Sequence, residues 1–140
     1  MPTAIHRLVR LCREGREPRA IVRLPSGWVL AGDVQALPGA CLLACDPVAP
    51  SLNALGEAER ARYARDQARL GDALIAALGA SRVNYETWCN LEPALHSHVT
   101  PRFAGEPPER RVLPPRQAYD YARARRFDPD ADRLWMARVR

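Results

Sequence analysis

The chain has 140 residues, of which 47% are hydrophobic and 26% charged, which excludes a disordered protein and indicates one globular domain, with or without a tail. Its formal net charge is +5 and all 21 basic residues are arginine, so anionic partners are the ones to consider. No apolar run approaches the ~20 residues of a membrane span, and no signal-peptide pattern opens the chain, so we expect a cytoplasmic protein with no membrane partner.

The first half of the chain predicts one helix and three short strands. Residues 3–14 place apolar side chains at helical spacing, and Gly15 follows as a natural stop. Residues 20–24 and 28–31 flank a Pro-Ser-Gly turn and predict a hairpin, whereas residues 40–45 form a continuous apolar run typical of a buried strand. Strands joined by such short turns are antiparallel, because parallel strands need a longer crossover.

The longest predicted helix spans residues 57–78, with acidic residues in its first turn and Gly79 at its end. Two further strands are predicted at residues 82–88 and 95–100, on either side of a short loop. Together these elements predict an α+β fold with a mostly antiparallel sheet, one long helix and an N-terminal helix. The predicted core-facing stripe of the long helix consists of Ala64, Ala68, Gly71, Leu74, Ile75 and Leu78.

Beyond Gly105 the chain becomes rich in proline and arginine, which marks a domain edge. We therefore predict a domain over residues 1–105 and a C-terminal extension over 106–140 that packs on the domain or on a partner subunit. The part from 116 to 140 has room for one or two short helices.

The cysteines and arginines carry no recognisable binding motif. The four cysteines contain no CxxC pair and the three histidines are not spaced to complete a zinc finger, so we expect structural thiols and no metal site. The arginines are scattered and aromatic residues make up only 6% of the chain, which argues against nucleic acid as a partner. The cysteines are Cys12, Cys41, Cys45 and Cys89.

Two histidines alternate in the last predicted strand. His96 and His98 point to the same face, with about 7 Å between their backbone positions. Two imidazoles at this spacing can act together on one phosphate, because histidine offers both a neutral nitrogen and an N–H donor near neutral pH. The same spacing also occurs in metal sites and among structural or surface histidines, so the pattern alone leaves these alternatives open.

The residues around these histidines resemble the histidine-triad (HIT) family, in which three alternating histidines precede two apolar residues and often Pro-Arg. Residues 90–102 read NLEPALHSHVTPR and residues 82–90 read RVNYETWCN, similar to the strand and loop before the motif in bacterial members. The resemblance covers roughly residues 20–104 and is nearest to the diadenosine polyphosphate hydrolase-like branch. It implies a HIT-like fold and a homodimer.

The resemblance also implies roles for individual residues. His96 takes the place of the middle histidine, the nucleophile of the family, and His98 takes that of the third histidine, which contacts phosphate. Asn90 falls in the loop that hydrogen-bonds phosphate oxygens. Apart from the resemblance, nearby arginines, Arg102 among them, are expected to receive the distal phosphates of a diadenosine polyphosphate.

Two more residues are implied to bind the nucleotide. Asn84 occupies a polar strand position before the motif, and Asp33 lies near the place where family members hold the ribose. From the residues alone, Asn84, Asp33 and Asn90 also suit ordinary turn or sheet positions.

The sequence departs from the family pattern at the motif itself. Ala94 replaces the first triad histidine, so the motif is a dyad, and Cys89 stands where a loop glycine is usual. The loop is shortened and includes Glu92, whose charge would repel a phosphate unless it points away or orients a histidine. Since the first histidine of the family is a supporting residue, its loss is expected to loosen the site more than abolish it.

The leading hypothesis is a nucleotide hydrolase or transferase that cleaves at the α-phosphate of a dinucleoside polyphosphate or nucleoside phosphoramidate through a nucleotidyl-His96 intermediate. No cofactor is required, and Mg²⁺ is possible with a polyphosphate substrate. One alternative is a nucleotide-binding protein with a degenerate site and little turnover. Another is a basic protein that binds nucleic acid through residues 110–126, with affinity that falls steeply as salt is added.

Overall fold

The computed structural model describes residues 2–140, in which helices pack on both faces of one sheet. In chain order the elements are α1 (Ala4–Arg13), β1 (Ala20–Leu24), β2 (Gly27–Ala31), β3 (Cys41–Cys45), α2 (Glu57–Leu78), β4 (Arg82–Glu86), β5 (His96–Arg102), α3 (Pro108–Arg111), α4 (Pro115–Ala118) and α5 (Pro129–Val139). The five strands lie in the order β1-β2-β3-β5-β4, and every neighbouring pair is antiparallel. The predicted α+β class is therefore confirmed.

Helix α1 covers part of one face of the sheet, which we call the α1 face. Thr3 caps the helix, since its side chain accepts a hydrogen bond from the backbone N–H of His6. The inward side chains of α1 pack on β2 and β3, and they meet there the small side chain of Ala94 from the loop before β5. This apolar cluster contains Ile5, Val9, Cys12, Leu30, Leu42, Ala44 and Ala94.

Helices α2 and α5 cover the opposite face, where the main core lies. Tyr63 of α2 is fully buried, and its hydroxyl lies 3.2 Å from the Leu43 carbonyl and 2.8 Å from Ser97 Oγ. A buried tyrosine hydroxyl needs such partners, because an unpaired one would be costly to remove from water. The hydroxyl thus ties α2 to two neighbouring strands of the sheet.

The predicted stripe of α2 is wrong at three of its six positions. Ala64, Ala68 and Ile75 are exposed, while the other three residues of the stripe lie against the core. Tyr63 and Asp66 face inward in their place. The Tyr63 hydroxyl lies within hydrogen-bond distance of the Leu43 carbonyl, and Asp66 Oδ2 accepts from the Ser26 backbone N–H, while Asp66 Oδ1 is buried without a hydrogen-bond partner. A stripe drawn from apolar residues and glycine alone passes over polar side chains that find partners in other elements.

The last two strands differ from their predicted ends. β4 stops at Glu86, two residues before its predicted end, and β5 continues to Arg102. Pro101 stays in β5 because it lies beyond Val99, the last residue of β5 to pair with β3, so its missing N–H leaves no acceptor on β3 unpaired.

The C-terminal residues contribute to the same core. Trp135, Met136 and Val139 of α5 are buried against α2 and β1. The division of the chain at residue 105 stays a prediction. Within residues 2–140, no helix is both long and apolar enough to cross a lipid bilayer.

Candidate active site

The two histidines of β5 lie side by side on the α1 face, beyond the part that α1 covers. Their ring centroids are 5.4 Å apart and the ring planes are nearly perpendicular, at 81°. His98 pairs with Glu86 of β4 across the sheet, and His96 pairs with Ala44 of β3. Residues opposite one another in antiparallel strands share a face, so Glu86 is the acidic neighbour of His98.

A backbone hydrogen bond fixes the tautomer of His96. Its Nδ1 lies 2.7 Å from the carbonyl oxygen of Ala94, and a carbonyl can only accept, so Nδ1 carries the proton. In the neutral ring the lone pair is then on Nε2. Ala94 therefore orients the His96 ring through its main-chain carbonyl.

The Ala94 side chain has a packing role. It is fully buried in the apolar cluster beneath α1. An imidazole at this position would bring two ring nitrogens into that cluster, where each would need a hydrogen-bond partner. The alanine thus fits the way α1 closes over this part of the sheet.

His98 is held in its neutral form. Burial, the neighbouring His96 and the Arg116 guanidinium together lower the pKa of His98 from its ordinary value of 6.5 to about 4. At neutral pH it therefore offers one N–H donor and one lone pair, and no positive charge.

This shift predicts a pH dependence of stability. Because the folded protein binds the His98 proton more weakly than the unfolded chain, unfolding becomes easier as the pH falls from 6.5 towards 4. Between pH 7 and pH 5 the free energy of unfolding should drop by about 2 kcal/mol through this group. Denaturant titrations at both pH values measure the drop.

The matched variants for this measurement are His98→Gln and His6→Gln. The first should lose most of the drop, and the second, on the exposed side of α1, should keep it. Burial opposes the ionisation of Asp46, Glu106 and Asp132, but hydrogen bonds from arginines hold their pKa values below the ordinary range, so they stay charged in this window. Equal drops in the native protein and His98→Gln would contradict the assignment.

The loop between β4 and β5 is shaped by an unusual residue. Cys89 has a φ of 55°, in the left-handed region that glycine adopts without strain. The Cys89 thiol lies 3.9 Å from His96 Nδ1, and Asn90 follows it at the edge of the site.

Glu92 is held away from the histidines. Its Oε2 accepts a hydrogen bond of 3.1 Å from the backbone N–H of Ala4, in the first turn of α1. The N-terminus of a helix favours a negative charge, so this contact stabilises the charge of the Glu92 carboxylate and ties the loop to α1. The expected conflict between Glu92 and a phosphate is thereby reduced.

The histidines open into a cleft of about 1370 Å³ between the β4–β5 loop and a stretch of the C-terminal extension. We call that stretch, residues 111–117, the C-terminal wall. Trp88 and Leu91 form an apolar rim, with exposed fractions of 71% and 94%. The cleft brings together five of the six predicted site residues: Asn84, Asn90, His96, His98 and Arg102.

Arg102 lines this cleft but has no donor left for a phosphate. A guanidinium has five N–H donors, and here they go to Glu106, Asn84 Oδ1 and the carbonyls of Arg110 and Leu113. The residue is also buried, at 3% exposure. Its position therefore corrects the expectation of a phosphate ligand: Arg102 holds the C-terminal wall to β5.

Asp33 lies apart from the cleft. It lines a second cavity of about 200 Å³, which meets the cleft at Glu86, His98 and Arg116. Its carboxylate forms an exposed ion pair of 2.7 Å with Arg126 of the C-terminal extension. A ribose would reach Asp33 only in competition with that arginine.

Arg116, a cation beside the histidines, was not among the predicted site residues. It belongs to the proline- and arginine-rich extension, where nothing in the local pattern separates one arginine from another. Within residues 2–140, no group of three or more His, Cys, Asp or Glu side chains is arranged to hold a metal ion.

The fold is similar to that of solved histidine triad proteins. A histidine triad protein from Bradyrhizobium japonicum gives a TM-score of 0.71 at 21% identity, over 86% of each chain. A Hit-like protein involved in cell-cycle regulation from Bartonella henselae gives 0.73 at 12% identity, covering 98% of this chain and 93% of that one. A hypothetical histidine triad nucleotide-binding protein from Sulfolobus tokodaii gives 0.71 at 12% identity, covering 95% of this chain and 88% of that one.

The sequence itself matches no protein-family model and no curated protein. The structural likeness nevertheless defines the fold, and the predicted HIT-like architecture is confirmed. The chain has the fold of the histidine triad proteins.

Proposed function

We propose that the protein is a nucleotide hydrolase or transferase that acts at the α-phosphate of a nucleoside phosphate derivative through a nucleotidyl-His96 intermediate. The observation that supports this best is the hydrogen bond from His96 Nδ1 to the Ala94 carbonyl, which leaves Nε2 with a lone pair at the floor of a large cleft. The histidine triad fold and a neighbour whose name includes nucleotide binding agree with it.

The reaction proceeds in two displacements. First, Nε2 of His96 attacks the α-phosphorus, the bond to the leaving group breaks, and its electron pair departs with that group. His96 then carries a phosphorus–nitrogen bond and a positive charge, which the Ala94 carbonyl stabilises through the Nδ1 proton. Water next attacks the phosphorus, the bond to Nε2 breaks, the water proton leaves to solvent, and a nucleoside monophosphate is released.

Neighbouring groups stabilise charge on the phosphate oxygens. His98 donates its N–H from the same strand, and Asn90 contributes from the loop. Asn84 binds nucleotide through its amide N–H donors, because its Oδ1 already accepts from Arg102. Trp88, exposed at the rim, offers an aromatic face for the base.

The proposal also includes an oligomeric state, a cellular location, a metal ion and a ribose contact. A homodimer and a cytoplasmic location remain proposals, the second consistent with four unpaired cysteines. No cofactor takes part in the displacement, although Mg²⁺ would accompany a polyphosphate substrate. Asp33 binds the ribose once its ion pair with Arg126 is broken.

The first test is product formation from diadenosine tetraphosphate and from adenosine phosphoramidate, resolved by chromatography. AMP from either substrate, released by the purified native protein, is the expected result. If neither substrate yields AMP while nucleotides bind, the protein is instead a nucleotide-binding module with little turnover. The replacement of the first triad histidine by Ala94 favours that second candidate.

A further inference from the structure

Arg116 stands beside the two histidines as a cation without a counter-ion. It begins the exposed part of α4, lines both the cleft and the second cavity, and lies with its guanidinium 4.6 Å from the ring centroid of Tyr121. Within residues 2–140 the Arg116 side chain forms no ion pair and no hydrogen bond. Stacking on an aromatic ring leaves the N–H edges of a guanidinium free to bind an anion.

The C-terminal wall that carries Arg116 is anchored at both ends. Arg102 donates to the carbonyls of Arg110 and Leu113, at 2.9 and 2.6 Å. Beyond the wall, the Tyr119 hydroxyl donates to Glu106 at 2.7 Å. Arg116 is therefore presented by a fixed segment and needs little ordering when an anion binds, which favours affinity.

Among the arginines that line the cleft, Arg116 is the one whose charge acts on His98. The charge of Arg102 is matched by Glu106, and that of Glu92 by the N-terminus of α1. Glu86 faces His98 across the strands and is the acidic residue that an incoming phosphate must tolerate. Arg116 lies near enough to His98 to disfavour a positive charge there.

We propose that Arg116 binds the phosphates of the leaving group, so that the site selects nucleotides with a polyphosphate leaving group over those that release an amine. This inference rests on the proposed function and names the substrate class of the same site. When Nε2 of His96 attacks, the P–O bond breaks and the electron pair stays on the bridging oxygen of the departing polyphosphate. Arg116 compensates that charge through charge-assisted hydrogen bonds.

The state of His98 works in the same direction. An amine must take up a proton to leave easily, whereas a polyphosphate departs as an anion without one. His98, neutral at pH 7, is a weak proton donor, and Arg116 holds its protons too tightly to give one up. The site therefore supports the leaving group that needs no proton.

The kinetic test compares Arg116→Gln with the native protein on both substrates. For diadenosine tetraphosphate, kcat/KM should fall by at least about tenfold, since one charge-assisted contact to phosphate is lost. For adenosine phosphoramidate it should change by less than about twofold. Arg123→Gln, an exposed arginine of the same extension, is the matched control and should match the native protein on both. Equal losses on both substrates, or no loss on either, would overturn the inference.

A binding test separates this inference from the proposed function. Calorimetric titration with inorganic tripolyphosphate requires no turnover, and Arg116→Gln should bind it about tenfold more weakly than the native protein and the Arg123→Gln control. If the native protein hydrolyses neither substrate but shows this difference, the proposed function fails and the role of Arg116 stands. Equal tripolyphosphate affinity in native protein and Arg116→Gln rejects the role of Arg116, whatever the turnover.

Discussion

Replacing His96 by alanine should lower kcat by at least about 10³-fold, because the variant loses the atom that forms the covalent intermediate. Binding should survive better, since Asn84, Asn90 and His98 remain in the cleft. We expect the Kd of a nucleoside monophosphate, measured by calorimetry, to rise by less than about tenfold. A large loss of kcat with modest loss of affinity is typical of a nucleophile.

The matched control is His6→Ala, which removes a histidine from the exposed side of α1. Its kcat should stay within about twofold of the native value. If His96→Ala kept a tenth or more of native kcat, another group or a water molecule would be performing the attack, and the assignment of His96 would be wrong.

Replacing Glu106 by alanine should destabilise the protein by about 3–5 kcal/mol, the largest effect on stability that we expect from the loss of one buried side chain. Glu106 and Arg102 form a buried ion pair, with 3.0 Å between Oε1 and Nη2. The same carboxylate accepts from the Phe103 backbone N–H and the Tyr119 hydroxyl. Its removal would leave the Arg102 charge buried without a counter-ion.

Thermal unfolding provides the measurement, with an expected decrease in Tm on the order of 10 °C. Glu109→Ala removes an exposed carboxylate three residues away and should change stability by less than about 0.5 kcal/mol. Replacing Arg102 and Glu106 together by leucine should destabilise less than Glu106→Ala alone, because no buried charge is then left unpaired. A small effect of Glu106→Ala would contradict the view that this pair holds the C-terminal wall.

The sequence predicted the parts of the fold that depend on local pattern. The apolar run at 40–45, the alternation around His96 and the helix ending at Gly79 all correspond to elements of the structure. The core-facing side of α2 was harder to predict from the sequence, because Tyr63 and Asp66 are polar residues whose hydrogen-bond partners come from other elements. Only the packed structure supplies those partners.

The candidate site likewise has a part that the local sequence predicts and a part that depends on tertiary structure. The alternation of His96 and His98 places both on one face, which local geometry determines. The hydrogen bonds of Arg102 go to Glu106, which lies beyond the end of β5, and to main-chain carbonyls that include Leu113 of the C-terminal wall. Its role as a structural residue could therefore not be predicted from the local sequence. Arg116 was missed for the same reason, since only tertiary structure brings it to His98.

The most direct measurement of the central claim, covalent catalysis by His96, is the stereochemical course at the α-phosphorus. Turnover of a dinucleoside tetraphosphate with a chiral α-phosphorothioate in ¹⁸O-labelled water yields a product whose configuration reports the number of displacements. Two displacements, through His96 and then water, predict net retention. Net inversion would show a single direct attack by water and would contradict the nucleotidyl-His96 intermediate.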